Sequence, residues 1–335
     1  MRLKYSRNAV RRHCQIKTPT DMSKDDIFEK VKQTLLDGLN KQGLNWFKPW
    51  KSPTHKCGDE WRPINRVSGR TYSGVNIWIL SNAMIEFGYE HNEWLTFKNA
   101  SDMGKKIRKG EKAVDIYFWN IGWWNPTTKK TYKSLADAIA KGEDQNDIKQ
   151  FFSLIFYKVF NIAQVEDLEP RNPKEAVTEP TEEEEFTPLE IAENTIKNWA
   201  QCPPINHGGN QAYYSPSDDY VQMPEPKRFV DGDSYYKTLF HELVHSTGHK
   251  ARLNRKEVAE AKIKFGSADY GMEELVAESG SLMLTSLLGL DPKDNEENTQ
   301  AYINNWVKVV KDTPSKAIVS ALTRSTKAVD YILGA

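Results

Sequence analysis

Two histidines four residues apart, with a glutamate directly after the first, are the residues best spaced for chemistry in this 335-residue chain: His241-Glu242-Leu243-Val244-His245. On a helix, positions i and i+4 share one face, so both imidazoles can address a single ion. The pattern is that of a catalytic zinc site. Zinc lowers the pKa of a bound water towards 7, and Glu242, one step round the helix, takes its proton as the water attacks a carbonyl. Leu239, Phe240, Leu243 and Val244 flank the polar residues, as in a buried helix lining a cleft. Two surface histidines beside an unrelated glutamate are the bland alternative, and those apolar neighbours weigh against it.

One catalytic Zn²⁺ needs a third protein ligand. The longer pattern H-E-x-x-H-x-x-G-x-x-H holds as far as Gly248 but ends on Ala251, so the standard metzincin solution is excluded. His249 lies close in sequence, beyond a glycine expected to end the helix. Downstream, Glu273-Glu274-Leu275-Val276-Ala277-Glu278 falls on an expected helix. A glutamate followed four residues on by a second acid resembles the gluzincin arrangement, where the first carboxylate binds zinc and the second braces a ligand histidine. That resemblance makes Glu274 the third ligand and Glu278 the outer partner of a ligand histidine, with Glu278, Glu273 and His249 as alternatives for the ligand. Tyr270 is a candidate oxyanion stabiliser or a packing residue. Arg252 and Arg255 would serve the same end or cap the helix. An extended peptide would lie on a sheet edge, for which 211–214 or 219–223 are the candidates.

These residues must be positioned by a mixed architecture. Ile27, Val31, Leu35 and Leu39 recur every four residues, predicting a helix from Lys24, with Ser23 as its cap. A second helix is expected over 75–87 and strands over 113–119 and 151–162. Between those strands lies a hairpin-like excursion carrying a short helix near 134–141. Prolines 170, 173, 180 and 188 with the run Glu182–Glu185 mark 167–188 as an acidic, proline-rich linker. After it come a helix at 189–200, two short strands within 211–223, and helices at 234–247, 269–288, 298–311 and 314–333. The expected organisation is a basic tail (1–23), an α+β domain (24–166), the linker, and a second domain (189–335).

Net charge is zero, but the halves are opposed. Residues 1–166 carry 28 Lys+Arg against 18 Asp+Glu, and the remainder the reverse, giving +10 and −10. Eight of the ten tryptophans lie in the basic half. There Trp46, Trp50 and Tyr72 alternate with Lys48, Arg62, Arg66 and Arg70, and a second basic cluster contains Lys105, Lys106, Arg108, Lys109 and Lys112. Cations that track phosphates, interleaved with flat rings that stack on unpaired bases, suit single-stranded nucleic acid with little sequence preference. A solvated basic face or a protein-binding surface is the competing reading. Three scattered cysteines without a CxxC pair argue against a disulfide framework and fit a reducing cytoplasm. No apolar run of about 18 residues suggests a membrane span, and the basic N-terminus lacks the apolar stretch of a secretory signal.

The order of motifs resembles the ArdC family of antirestriction proteins carried by conjugative plasmids and phages. In the first half the matching stretches include Trp46-Phe47-Lys48-Pro49-Trp50, Ser68 to Asn76, Trp94-Leu95-Thr96-Phe97, Ile107 to Lys112 and Tyr157 to Asn161. In the second half they are Tyr235-Tyr236, His241 to Gly248, Arg252-Leu253 and Glu273 to Glu278, with Tyr302 and Trp306. The resemblance implies an N-terminal single-stranded-DNA-binding domain and a zincin-like metallopeptidase domain of gluzincin type, in a protein that shields incoming DNA from restriction in a bacterial host's cytoplasm. Two other functions fit the same residues. Zinc could serve only to staple the second domain of a DNA-coating protein, or the chain could be a protease whose basic half recruits a host protein substrate.

Overall fold

The structure is a computed structural model, and it describes residues 24–42, 62–171, 187–260, 268–291, 304 and 306–334. The basic tail, the Trp46–Trp50 segment and residues 172–186 of the acidic linker lie outside the described residues.

The first helix, α1 (Lys24–Gln42), has Asp25 and Asp26 in its first turn and Lys41 in its last, matching the helix dipole. Its four-residue apolar repeat is buried. A five-stranded sheet follows, in the order β1 (Ile64–Asn65), β2 (Glu93–Thr96), β5 (Lys149–Asn161), β3 (Val114–Trp124), β4 (Thr131–Tyr132). Only β1 and β2 run parallel. The long β3–β5 ladder, from Val114↔Val159 to Trp124↔Lys149, is its backbone. Because β4 meets β3 only at Trp123 and Trp124, the outer edge of β3 is open further down. Helix α2 (Val75–Glu86) closes it. The Asn76 side chain accepts from the Tyr117 N–H (2.8 Å) and donates to the Tyr117 carbonyl (2.6 Å), replacing a missing strand.

Short helices α3 (Phe97–Asp102) and α4 (Leu135–Ala140) complete this half. Asn76→Leu would strand two buried backbone groups, each worth roughly 1–3 kcal/mol. A loss of about 2–4 kcal/mol of stability is expected, read as a lower urea midpoint at unchanged m-value.

The second half begins at α5 (Pro188–Asn198), where Thr187 caps and Pro188 occupies the first turn. Pro188 therefore starts a helix rather than ending the linker as its place after the acidic run predicts, because its fixed φ suits the first helical turn. Residues 167–171 likewise stay on the first sheet. Leu168 packs beside Leu95 and Ile162, and the Arg171 N–H donates to Glu93 at 2.9 Å. A three-stranded sheet, β6 (Ile205–His207), β8 (Tyr220–Met223), β7 (Tyr213–Ser215), precedes α6 (Gly232–Ser246). Then come α7 (Lys256–Ala259), α8 (Ala268–Leu287), α9 (306–312) and α10 (Ser315–Leu333).

The halves share a buried core. Ile27, Val31 and Leu35 of α1, with Val75 and Trp78 of α2, belong to one apolar cluster with Ile318, Leu322 and Val329 of α10 and Met283 and Leu284 of α8. Gly74 (φ +60) sits against Thr323, where a Cβ would come within 3.2 Å of the hydroxyl, so α2 starts close upon α10. Among the described residues no helix is long and apolar enough to cross a membrane.

Candidate functional site

Helix α6 starts cleanly because the Asp231 carboxylate accepts from the Ser234 N–H at 2.8 Å. Its buried face runs through Tyr235, Leu239, Phe240, Leu243 and Val244, which presses the helix against α8. The approach is close: a Cβ on Gly280 would lie 3.0 Å from the Val244 methyls. That proximity brings the acids of α8 over the histidines of α6.

His241 Nε2 and His245 Nε2 are 3.2 Å apart, and the two Glu274 oxygens lie 3.5 Å and 3.6 Å from them. These three side chains form a group able to hold a metal. Donors placed about 2.0–2.1 Å from a tetrahedral centre are separated by about 3.3–3.4 Å, so the triangle fits a small divalent cation. Both Nδ1 atoms face carboxylates, His241 towards Glu278 (3.1 Å) and His245 towards Glu273 (3.3 Å). An Nδ1–H donated outward leaves each Nε2 lone pair pointing inward, the tautomer a metal requires. Burial lowers the pKa of His241, but its hydrogen bonds to Glu274 and Glu278 outweigh that and push it up to about 10. The pocket carries more negative charge than its imidazoles can neutralise, a setting that a dication balances.

Of the alternatives for the third ligand, Glu278 and Glu273 stand behind the histidines. His249 is directed at Asp219, with Nδ1 3.5 Å from its carboxylate. Glu273 was not expected as the partner of His245. It is 3% exposed, bonded to Arg255 (Nε–Oε2 3.0 Å, Nη2–Oε1 2.5 Å), and held well below the usual carboxylate range: burial raises it, but His245 and Arg255 win. Arg255 also donates to Thr247 Oγ1 and the Val244 carbonyl, and Arg252 Nε to the Ser246 carbonyl. Both arginines thus cap the end of α6, the second of the roles considered for them.

Glu242 is buried, and burial pushes its carboxyl upward against the pull of His245 and His241. It also accepts a hydrogen bond from the Tyr214 backbone. Strand β7 is therefore the edge beside the site, whereas 219–223 falls on β8, the central strand, whose ladder is filled on both sides. Arg252 ties this edge to α6 through Asp219, which accepts from the Tyr214 hydroxyl at 2.8 Å. The backbone of Tyr270 opens α8, and its side chain lies outside the described residues.

The basic half presents a second feature. On the face of the five-stranded sheet a groove of about 440 Å³ has Ile116 and Val159 on its floor and Tyr72, Phe118 and Tyr157 along it. Phe118 and Tyr157 are 41% and 47% exposed, their ring centroids 5.6 Å apart and nearly perpendicular. Phe118 stands in none of the sequence motifs, and Tyr157 belongs to the stretch Tyr157 to Asn161 without being among the residues expected to meet DNA. Aromatic residues alternate on both faces of β3 and β5, so pattern alone does not say which face is open.

The residues expected to meet DNA divide. Trp46, Lys48 and Trp50 lie outside the described residues. Arg70, Lys106, Lys109 and Lys112 are exposed; Arg108, also exposed, is bonded to the Ala163 carbonyl and to Glu111 (3.4 Å). Arg62 is turned inward to Asp330 of α10 (2.7 Å), and Arg66 to Glu93 (3.4 Å) and the Glu169 carbonyl (3.1 Å). Lys105 is half-buried on the Asp167 carbonyl, and Tyr72 is buried at the groove wall. Arg62, Arg66 and Lys105 hold the fold together, because each found an acidic group or a carbonyl from a distant part of the chain.

Comparison with known proteins agrees with this two-part architecture. Residues 25–160 match the family model for the N-terminal domain of anti-restriction factor ArdC, and residues 192–324 match that for a zincin-like metallopeptidase. The chain is 31% identical to the uncharacterized protein y4eC of Sinorhizobium fredii, over 93% of both chains. The metal-free crystal structure of the antirestriction protein ArdC from plasmid R388 superposes with a TM-score of 0.62 at 27% identity, covering 92% of this chain and 96% of that one.

This chain belongs to the ArdC family of antirestriction proteins.

The R388 ArdC protein has also been solved with Mn(II) bound, and that structure matches this ArdC-family chain with a TM-score of 0.61. Two Escherichia coli DNA primases, both called TraC, are 30% identical over 92% of the chain. The chain spans only 20% and 27% of their lengths. In this ArdC-family chain the His241–His245–Glu274 triangle and the carboxylates behind it all fall within the zincin-like segment, on α6 and α8.

Proposed function

We propose that this antirestriction-family chain protects DNA by binding it as a single strand through its basic half, and that its zincin-like half is a zinc metallopeptidase acting on a host protein. The observation that carries the second part is the triangle His241–His245–Glu274 with the buried Glu242 beside it. Three protein donors leave one tetrahedral position open, the mark of a catalytic rather than a structural site. When bound there, zinc supplies Lewis acidity and brings the pKa of a coordinated water towards neutrality.

The chain's own residues do the rest. Glu278 and Glu273 fix the orientation and tautomer of His241 and His245. The Glu242 carboxylate takes the proton of the attacking water and returns it to the leaving amine. Strand β7, tied to α6 through Asp219 and Arg252, offers its edge to an extended substrate segment. The side-chain exposure of Glu274, 36% against 14% for His245, is consistent with a centre that opens towards solvent on the Glu274 side.

The DNA reading is supported by the +10 balance of residues 1–166 and by the exposed cations Arg70, Lys106, Lys109 and Lys112. Fluorescence anisotropy with labelled oligonucleotides tests it. Single strands should bind more tightly than duplex, with a steep loss of affinity as salt rises, because each phosphate contact contributes a slope of about −0.7 on a log–log plot. Equal and salt-insensitive affinity for both forms would overturn the reading.

A further inference from the structure

The open face of the first sheet has no established occupant. At the groove β3 and β5 pair with each other, and Asn76 of α2 covers the outer edge of β3 at Tyr117. Their backbone groups lie in the plane of the sheet, so the face itself offers no ladder to a peptide. What the face offers is side chains: two half-exposed rings, Phe118 and Tyr157, set nearly at right angles, with the Tyr72 ring 6.3 Å from Phe118. Adjacent half-exposed rings lining a groove are the kind of surface that marks a binding site, and flat side chains suit stacking on bases.

The polar groups at the rim are largely committed. Thr96 Oγ1 is bonded to Asn99 Oδ1 at 2.7 Å, and Asn65 Oδ1 accepts from Val67 N, Ser68 N and Ser68 Oγ at 2.9–3.2 Å. A ligand would therefore be held by stacking rather than read by hydrogen bonds. Cations stand on the segments that feed the groove. Arg70 is exposed two residues before Tyr72, and Lys112 two residues before β3 begins, in the same stretch as Lys106 and Lys109.

We infer that this groove is where unpaired bases of a single strand stack, on Phe118 and Tyr157, while the phosphates run past Arg70 and the Lys106–Lys112 segment. The inference rests on the single-strand reading above and gives it a location. Because stacking accepts any base, affinity should vary little among homopolymers, apart from stacking strength.

The test uses the full chain and labelled oligo(dT). Phe118→Leu and Tyr157→Leu should each weaken binding by roughly 10-fold, and the double variant by more, as expected from the loss of base stacking. The salt slope should be unchanged because no phosphate contact is removed. Tyr157→Phe should bind as the parent does. Independently of whether the leucine variants fold, an oligonucleotide carrying 5-iododeoxyuridine should cross-link on irradiation to a peptide containing Phe118 or Tyr157. Parent-like affinity in a folded double variant, or cross-links confined to other segments, would overturn the groove assignment while leaving single-strand binding intact. Absence of single-strand binding by the parent chain would overturn both.

Discussion

Glu242→Gln is expected to lower hydrolysis by at least about 100-fold while leaving metal and DNA binding in place, since a positioned general base contributes on the order of 10²–10⁴-fold. The substitution keeps the shape of a side chain that is only 8% exposed and removes just its ability to take a proton. It leaves the three donors His241, His245 and Glu274 in place, so metal affinity measured by titration should stay within a few-fold of the parent's. Turnover of an unfolded protein such as casein gives the direct readout, and DNA transfer into a restricting recipient gives the functional one. Loss of protection together with turnover would tie antirestriction to proteolysis. Full protection by the variant would mean that the metal only staples α6 to α8 and that the basic half does the work.

Arg255→Met should be the most damaging single change to stability outside the apolar core. Arg255 and Glu273 are 6% and 3% exposed, and removing the guanidinium leaves a buried carboxylate with only the His245 imidazole. Breaking a buried pair from one side costs about 3–5 kcal/mol. The same change strips the end of α6 of its donors to Val244 and Thr247. At about 2 °C per kcal/mol for a chain of this size, the melting temperature should fall by roughly 6–10 °C. Metal affinity should fall too, because Glu273 no longer holds His245 in one tautomer; losses of 10–100-fold follow disruption of such outer partners. A variant that melts and binds metal like the parent would show that Glu273 is braced from elsewhere.

The geometry of the candidate metal centre was largely legible in the sequence. Helical periodicity puts residues i and i+4 on one face wherever the helix goes, so His241 and His245 converge for a local reason, and Glu274 and Glu278 share a face of α8 in the same way. The tandem Glu273-Glu274 was ambiguous because adjacent helical residues point about 100° apart, and which one meets the histidines depends on how α8 is rotated against α6. The close approach at Gly280 sets that rotation. Arg255 carried no pattern at all, being separated from Glu273 by a loop of unspecified path. The short strands β2 and β6 went unread for a related reason: three or four residues give too few alternations to show a period.

In the basic half, composition announced the charge and the rings but not their directions. Arg62 and Arg66 looked like nucleic-acid contacts and are instead turned into the fold; Tyr72 is buried in the groove wall, while Phe118 and Tyr157, ordinary strand aromatics in the sequence, lie open. Sheet alternation tells two faces apart without saying which is covered. That was settled by α1 lying across the Tyr117 and Phe156 side and by α2 closing the β3 edge. The nature of the chemistry therefore came from residue types at short, regular spacings, which local backbone geometry translates directly. The partners, orientations and exposed faces came from contacts between segments tens to hundreds of residues apart, whose energies depend on burial and distance in three dimensions and leave no periodic trace along the chain.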